Sequence, residues 1–531
     1  MRTDKERRLL TLFILVVILV TTLPYYLGFQ NQGEHWRFTG FVFGVEDGNS
    51  YLAKMLRGSA GDWIFENFYT SQPQQGMVAY LPYLLLGKLA SPPAWHVQLA
   101  VLYHVFRILV VVYLVWSTYR FIALFIKEGW LRYWAVVLII LGGGIGWAAP
   151  TLGVSGWLQW LPLSFYSPEA FGFLAVYGIP HLVLSRALLL DGFRILLKGG
   201  RFKAGLKMGL LWFALGLVQP LYLITAWGVS GLYIIGLWIF HQVTGDQPET
   251  TGEQRVQDKL IAALWSAGVS LPVVLYYGVG LITGGDFSSW QAQNALYSPG
   301  LGEYALSYGL MLPFLAGYAW TAKRGINRRE VLVVSWAVGA FAMGNFPVTF
   351  QRRLIEGAWV AVVVLACLAV SRWQNPIRGI VTWVWLLSFP STVILIWGGI
   401  TAARQPAYPL FRERAETEAF LYLKEASSPD EVVLSAFRTG NALPTWAPVR
   451  VVLGHPVETL RYRETARDVQ SFYSASTRSA WRWGMLERYH VDYVFWGPAE
   501  RELGNWNPER ATCLEIIYDR QGYGIYRNIC P

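Results

Sequence analysis

Charge is scarce in this chain. Only 15% of its 531 residues are Asp, Glu, Lys or Arg, too few for the surface of a soluble globular protein. Cysteine is scarcer still. Cys367 sits inside an apolar run, while Cys513 and Cys530 lie near the C-terminus, where they could pair or stay as free thiols. Several motifs are missing altogether. There is no Walker loop, no Gly-x-Gly-x-x-Gly between strand and helix, no zinc-spaced His/Cys cluster and no Gly-x-Ser-x-Gly elbow. Nucleotide-driven transport and serine hydrolysis are therefore left without support. No internal repeat and no low-complexity tract is found either, which counts against a transporter built from matching halves.

What the chain has is apolar length. Hydrophobic residues make up 54% of it, and its mean hydropathy is +0.34. Runs near the length of a bilayer crossing recur. They predict about eleven spans, near 9–29, 97–124, 131–149, 173–197, 205–219, 221–242, 260–283, 305–321, 331–347, 357–371 and 379–401. The basic start (Arg2, Lys5, Arg7, Arg8) runs into Leu9–Phe29 without a small-residue cleavage site, so the first run reads as a retained span. The net charge of +10 does not point to nucleic acid. Its Lys and Arg residues cluster on every second loop: Arg120, Lys127 and Arg132; Arg194, Lys198, Arg201, Lys203 and Lys207; Arg255 and Lys259; Lys323, Arg324, Arg328 and Arg329; Arg372 and Arg378. That alternation predicts a plasma-membrane protein with its N-terminus inside and its C-terminus outside. The 26 Trp residues read first as interfacial belts and second as surfaces for stacking sugars.

The loops on the other side carry the unusual residues. Loop 30–96 is long and contains Gly76–Ala90, read as a helix lying in the interface. Thr244–Lys259 reads as a polar linker, and Gly142-Gly143-Gly144 as a packing notch inside a span. From about residue 402 the pattern changes. Helical spacing over Ala415–Ala426, Thr459–Ala475 and Ser479–Tyr489 alternates with β-prone runs at Glu431–Ala436, Arg450–Gly454, Val491–Gly497, Leu514–Tyr518 and Gly522–Asn528. The expected organisation is a helical membrane domain over 1–401 and an extracytoplasmic α/β domain over 402–531.

Glu46 and Asp47 open the first outer loop. Either could act as a general base. Asp47 also sits where an N-cap belongs for a helix over Gly48–Leu56, or it could pair with Lys54 or Arg57. Glu169 is an isolated acid in the next outer loop, read as catalytic or as a helix-start acid. Gln351-Arg352-Arg353 lies in a short outer loop against the positive-inside trend. Its arginines suit bidentate phosphate contact, or an ion pair with Glu356. His181 and Arg186 in the fourth span, and His104 and Arg107 in the second, are intramembrane ionisable groups, read as structural pairs or as cavity lining. A hard cation could be held by Asp47 and Glu169, although nothing in the sequence demands a metal or other cofactor.

At these residues the chain resembles the GT-C superfamily of integral-membrane glycosyltransferases, which includes protein O-mannosyltransferases and lipid A aminoarabinose transferases. The matching elements are Glu46-Asp47 followed by Tyr51, Gly61-Asp62-Trp63, Tyr69-Thr70-Ser71, Arg107 in the second span, Glu169, and Gln351-Arg352-Arg353. They cover the layout of residues 1–400. The resemblance implies a polyprenyl-phosphate-linked sugar as donor and an acceptor hydroxyl on protein, lipid or glycan. Asp47, or Glu46 beside it, would be the base, Glu169 would orient the acceptor or help bind a metal, and Arg352 and Arg353 would hold the phosphate. Tyr51, Lys54, His181, Arg186 and Gln351 are candidate substrate-cavity residues. The competing classes are a secondary transporter or lipid flippase, and a non-catalytic membrane protein whose tail binds a partner.

Overall fold

The computed structural model describes residues 4–150, 152–153, 161–244, 256–283, 292–373, 378–429 and 431–529. Most of the Thr244–Lys259 linker, the start of the loop at 284 and Cys530 lie outside them. The chain divides into two compact units: a helical unit of Met1–Thr22, Phe106–Val279 and Ala295–Gly398, and a mixed unit of Leu23–Val105, Gly280–Asn294 and Gly399–Pro531.

Six helices among the described residues are long and apolar enough to cross a membrane: Asp4–Gln30, His96–Ile122, Tyr222–Val243, Val256–Ile282, Gln351–Arg372 and Arg378–Ala403. This is a multi-pass membrane architecture. In the helical unit, Ala358–Arg372 is apolar on every side, and each residue from Ala358 to Val370 is buried. A helix of that composition belongs in the middle of a bundle. In the apolar segment Val256–Ile282, only 22% of the residues in its 18-residue apolar window are buried, as expected of a helix that faces lipid.

Proline and glycine interrupt several predicted spans. Residues 173–197 form two helices, Phe173–Gly178 and Pro180–Lys198. Residues 379–401 divide into Arg378–Leu386 and Pro390–Ala403. In each case proline opens the second helix, where its missing N–H costs nothing. Residues 305–321 divide into Leu301–Ser307 and Leu312–Ala322, with Pro313 in the first turn of the second. Helix Gly129–Leu141 stops at Gly142, so the triple-glycine run lies beyond a helix end and not inside a span.

In the mixed unit, strand β1 (Trp36–Phe38) pairs antiparallel with β2 (Phe411–Glu413), Arg37 opposite Arg412. A second sheet holds β3 (Val432–Leu434), β4 (Arg450–Val451), β5 (Tyr493–Trp496), β6 (Leu514–Arg520) and β7 (Tyr523–Asn528), in the order β4-β3-β5-β7-β6. Strand β3 runs parallel to β4 and β5, and β7 antiparallel to β5 and β6. The two-residue period of the strands splits the core. Val433, Tyr493, Phe495 and Ile525 pack with Ala419, Phe420 and Leu423 of helix Arg414–Ala426. Val432, Leu434, Val494 and Tyr526 pack with Val469 and Phe472 of Tyr462–Tyr473 and with Met485 and Leu486 of Ser479–Arg488. Helices thus cover both faces, and the α/β pattern expected of the tail is observed.

The interfacial segment is shorter than expected: Leu81–Gly87 is helical. It crosses helix Val45–Ser59 at two glycines. A Cβ on Gly58 would lie 2.1 Å from the Leu84 carbonyl oxygen, and one on Gly87 would lie 1.9 Å from that of Met55. Only glycine allows so close a backbone approach.

Candidate functional site

Helix Val45–Ser59 presents the first group of candidate residues. Its N-cap is Gly44, in the left-handed conformation and without a side-chain cap. Asp47 therefore stands in the first turn and not at the cap, because the helix starts three residues earlier than the sequence implies. Both acids still gain from the helix dipole there. Val45, Leu52, Met55 and Leu56 anchor the helix against Phe41, Tyr83 and Tyr103. Tyr51 stacks on Tyr83 at 4.5 Å between ring centroids.

The polar face of the helix meets residues that follow the parallel strands. Lys54 is buried and reaches both oxygens of Glu458, Nζ to Oε1 at 2.9 Å and to Oε2 at 3.0 Å. Ser50 donates to Glu458 Oε1 at 2.5 Å and accepts from Lys54. Asn49 donates to Asn441 Oδ1 at 2.8 Å, and Asn67 donates to the Glu458 carbonyl at 2.7 Å. Of the partners that the sequence left open for Asp47, Lys54 turns to Glu458, and Arg57 binds Asp62 and Glu66.

Asp47 instead meets His455, Oδ1 to Nε2 at 3.2 Å. The backbone N–H groups of Val457 and Glu458 point at His455 Nδ1, each at 3.3 Å. Nδ1 is thus an acceptor, Nε2 carries the proton and donates it to Asp47. Burial opposes the imidazolium while the Asp47 hydrogen bond and the Glu458 charge favour it, and the net effect raises the pKa. Asp47 is 65% exposed, whereas His455 behind it is buried. Burial raises the pKa of Glu46, His455 lowers it and Asp47 raises it further, with a net upward shift. Glu458 is held below the usual carboxylate range, since the charges of Lys54 and His455 outweigh its burial. Burial lowers the pKa of Lys54, an effect that Glu458 opposes.

The second group lies in the helical unit. Glu169 is buried in the turn before helix Phe173–Gly178, whose N-cap is Gly172. It is therefore not a helix-start acid. Arg353 Nη1 binds its Oε1 at 2.7 Å, and Arg352 Nε lies 3.3 Å from Oε2. Burial would raise the pKa of Glu169, but Arg353 and Arg352 bring it below the ordinary range. The side chains of Arg352 and Arg353 remain 17% and 21% exposed, respectively. Arg352 also lies over the Tyr166 ring, and Tyr166 donates to Glu303 at 2.9 Å. Gln351 accepts from the Ser298 N–H at 3.1 Å and donates to the Phe346 carbonyl.

Glu356 does not pair with these arginines. It is the C-cap of the short 3-10 turn Gln351–Ile355. It pairs instead with Arg186 through both oxygens, Nη2 to Oε2 at 2.9 Å, and accepts from Tyr222 at 2.6 Å. Arg186 also donates to the Pro168 carbonyl at 2.7 Å, which fixes the turn that carries Glu169. Ser185 donates to the carbonyl of half-buried His181. In the second span, Arg107 donates to Thr21 and Thr22 at 3.1 and 2.9 Å, and the His104 ring contacts the Gly40 carbonyl at 2.8 Å. Among the described residues, no group of three or more His, Cys, Asp or Glu side chains could hold a metal ion.

His455, Glu458 and Asn441 were absent from the residues that the sequence singled out. One signal for them existed. Asn441 follows β3, and His455 and Glu458 follow β4, at the carboxyl ends of parallel strands, where α/β sheets place their sites.

No family model matches the chain, and no curated protein matches it by sequence. Solved structures do. The Archaeoglobus fulgidus oligosaccharyltransferase tethered to an acceptor peptide superposes with a TM-score of 0.52 at 13% identity, covering 93% of this chain and 69% of that one. Its apo form gives a TM-score of 0.52 at 12% identity, covering 99% and 75%. ArnT from Cupriavidus metallidurans gives 0.47 at 12% identity, covering 98% of each chain. The first two likenesses establish the fold: this chain shares the fold of the Archaeoglobus fulgidus oligosaccharyltransferase.

Proposed function

We propose that the protein transfers a sugar from a polyprenyl-phosphate donor to an acceptor hydroxyl, with Asp47 as general base. The observation that carries this reading is the setting of Asp47. Its carboxylate is open to solvent, yet one oxygen is fixed by a buried His455 whose other nitrogen is held by two backbone N–H groups. A carboxylate that is oriented but accessible suits removal of a proton from an incoming hydroxyl. In the proposed step the acceptor oxygen bonds to the sugar carbon, its proton passes to Asp47, and the bond from sugar to phosphate oxygen breaks. The lipid phosphate leaves with its charge stabilised by Arg352 and Arg353. Glu169 fixes those two guanidinium groups, and no step requires a metal.

The GT-C fold supports the reaction class. The acceptor peptide tethered to the Archaeoglobus enzyme makes a peptide one acceptor class worth assaying here. Cys513 is disulfide-bonded, which supports a tail on the oxidising side of the membrane. The exposed Trp63, Leu85, Leu89 and Trp95 suit a surface at headgroup level.

The test is transfer from synthetic polyprenyl-phosphate sugars by the purified chain in detergent. Asp47→Asn should cut turnover by about 10²–10⁴-fold and leave the thermal unfolding midpoint in place. Arg353→Lys keeps a charge on Glu169 but loses the fork, and should raise the donor KM more than it lowers kcat. Full activity in Asp47→Asn would remove the base assignment.

A further inference from the structure

The helical unit has a cavity that the proposed reaction does not use. It has a volume of about 330 Å³ and is lined by Tyr119, Arg120, Arg132, Arg194 and Lys198. The sequence assigned these four cations to the cytoplasmic loops as orientation markers. The fold gives them one shared space.

Its walls are built with regular spacing. On helix His96–Ile122, Tyr113, Ser117 and Arg120 lie on one face, being four and three residues apart. On Pro180–Lys198, Asp191, Arg194 and Lys198 do the same. Tyr113 and Ser117 donate to buried Asp191 at 2.9 and 3.0 Å, and Arg194 binds its other oxygen at 2.7 Å. This joins the two helices just before their basic ends. Arg132 closes a third side, paired with Glu6 and lying near the Tyr119 ring, and is only 3% exposed. Its Nε is buried with no hydrogen-bond partner among the described residues. Arg120 and Lys198 are exposed and make no ion pair among the described residues. Four cations thus face two carboxylates, Glu6 and Asp191, an excess of two positive charges around one opening.

We propose that this cavity binds a phosphate group, either the headgroup of an anionic phospholipid or a soluble phosphate. A pocket between apolar helices, with Arg132 and Arg194 held by carboxylates and Arg120 and Lys198 exposed at its rim, offers the charge and the donors that a phosphate requires. An orienting charge needs no such enclosure: positive-inside residues act from any solvated loop. The proposal is independent of the transfer reaction.

The test uses the full-length chain in detergent. Unfolding midpoints and lipid retention by native mass spectrometry are measured with phosphatidylglycerol, cardiolipin, phosphatidylcholine or inorganic phosphate. Anionic lipids should raise the midpoint and phosphatidylcholine should not. Arg120→Gln and Lys198→Gln should each weaken apparent affinity about fivefold. A control with the same charge loss, Lys323→Gln/Arg324→Gln, should change little. A response to inorganic phosphate alone would identify a soluble occupant of the same site. Equal loss in the control, undiminished binding in the Arg120→Gln/Lys198→Gln variant, or no preference over phosphatidylcholine without a phosphate response would overturn the proposal.

Discussion

Lys54 and Glu458 are 404 positions apart in sequence and 2.9 Å apart in space, both buried. A pair of this kind contributes little over an apolar substitute, but losing one partner strands the other charge. Glu458→Gln should therefore cost about 3–5 kcal/mol, measured by denaturant unfolding. Replacing both residues with apolar side chains should recover most of the loss. The pH dependence has a definite sign. Because Glu458 is held below the ordinary value of 4.5, its stabilisation is present above that value and is lost as pH falls through the lowered pKa. The wild type should show this acid step below pH 4.5, and Glu458→Gln should lack it. At this scale the sequence was only half legible. Asp47 and Glu169 stood out because each is an acid in a loop that the basic-residue pattern predicts to be outer. Their partners His455 and Arg353 could not be assigned, since nothing local records a contact made across the fold. The pairings left open from proximity in sequence were Asp47 with Lys54 or Arg57, and Arg352 or Arg353 with Glu356; in the fold Lys54 meets Glu458, and Glu356 meets Arg186.

Elements were read better where periodicity is strong. The strands and helices after residue 402 lie close to their predicted places, because alternation on two buried sheet faces and amphipathic helix spacing are both local signals. The spans were harder. Apolar length marks a crossing but does not register a break, and the breaks fall at Pro180, Pro390 and the Gly142 end of a helix. The crossing of Val45–Ser59 over Leu81–Gly87 shows what such small residues do. Gly87→Ala would drive a methyl group into the Met55 carbonyl, and overpacking of this kind costs about 1–3 kcal/mol. Since that helix carries Asp47, the variant should lower turnover as well as the unfolding midpoint. Normal activity with normal stability would mean that the two helices can separate without consequence.

At the scale of the whole molecule, the disulfide at Cys513 and the alternating basic loops make one joint prediction about sidedness. In intact cells, a membrane-impermeant thiol reagent should label the tail only after mild reduction, with no need to permeabilise. Buried Cys367 should stay unlabelled in both conditions. Labelling that depends on permeabilisation would put the tail in the cytoplasm and reverse the topology.

The pairing of β1 with β2 also has a consequence in time. Thr39 donates to the carbonyl of Leu410, 371 positions later, and synthesis proceeds at about 5–20 residues per second. The segment that carries Asp47 therefore emerges roughly twenty seconds or more before the strand that completes its sheet can exist. Until then Lys54 has no carboxylate and the first strand has no neighbour. A ribosome that stops short of residue 411 would leave the earliest-made part of the mixed unit as unfinished as the part never translated.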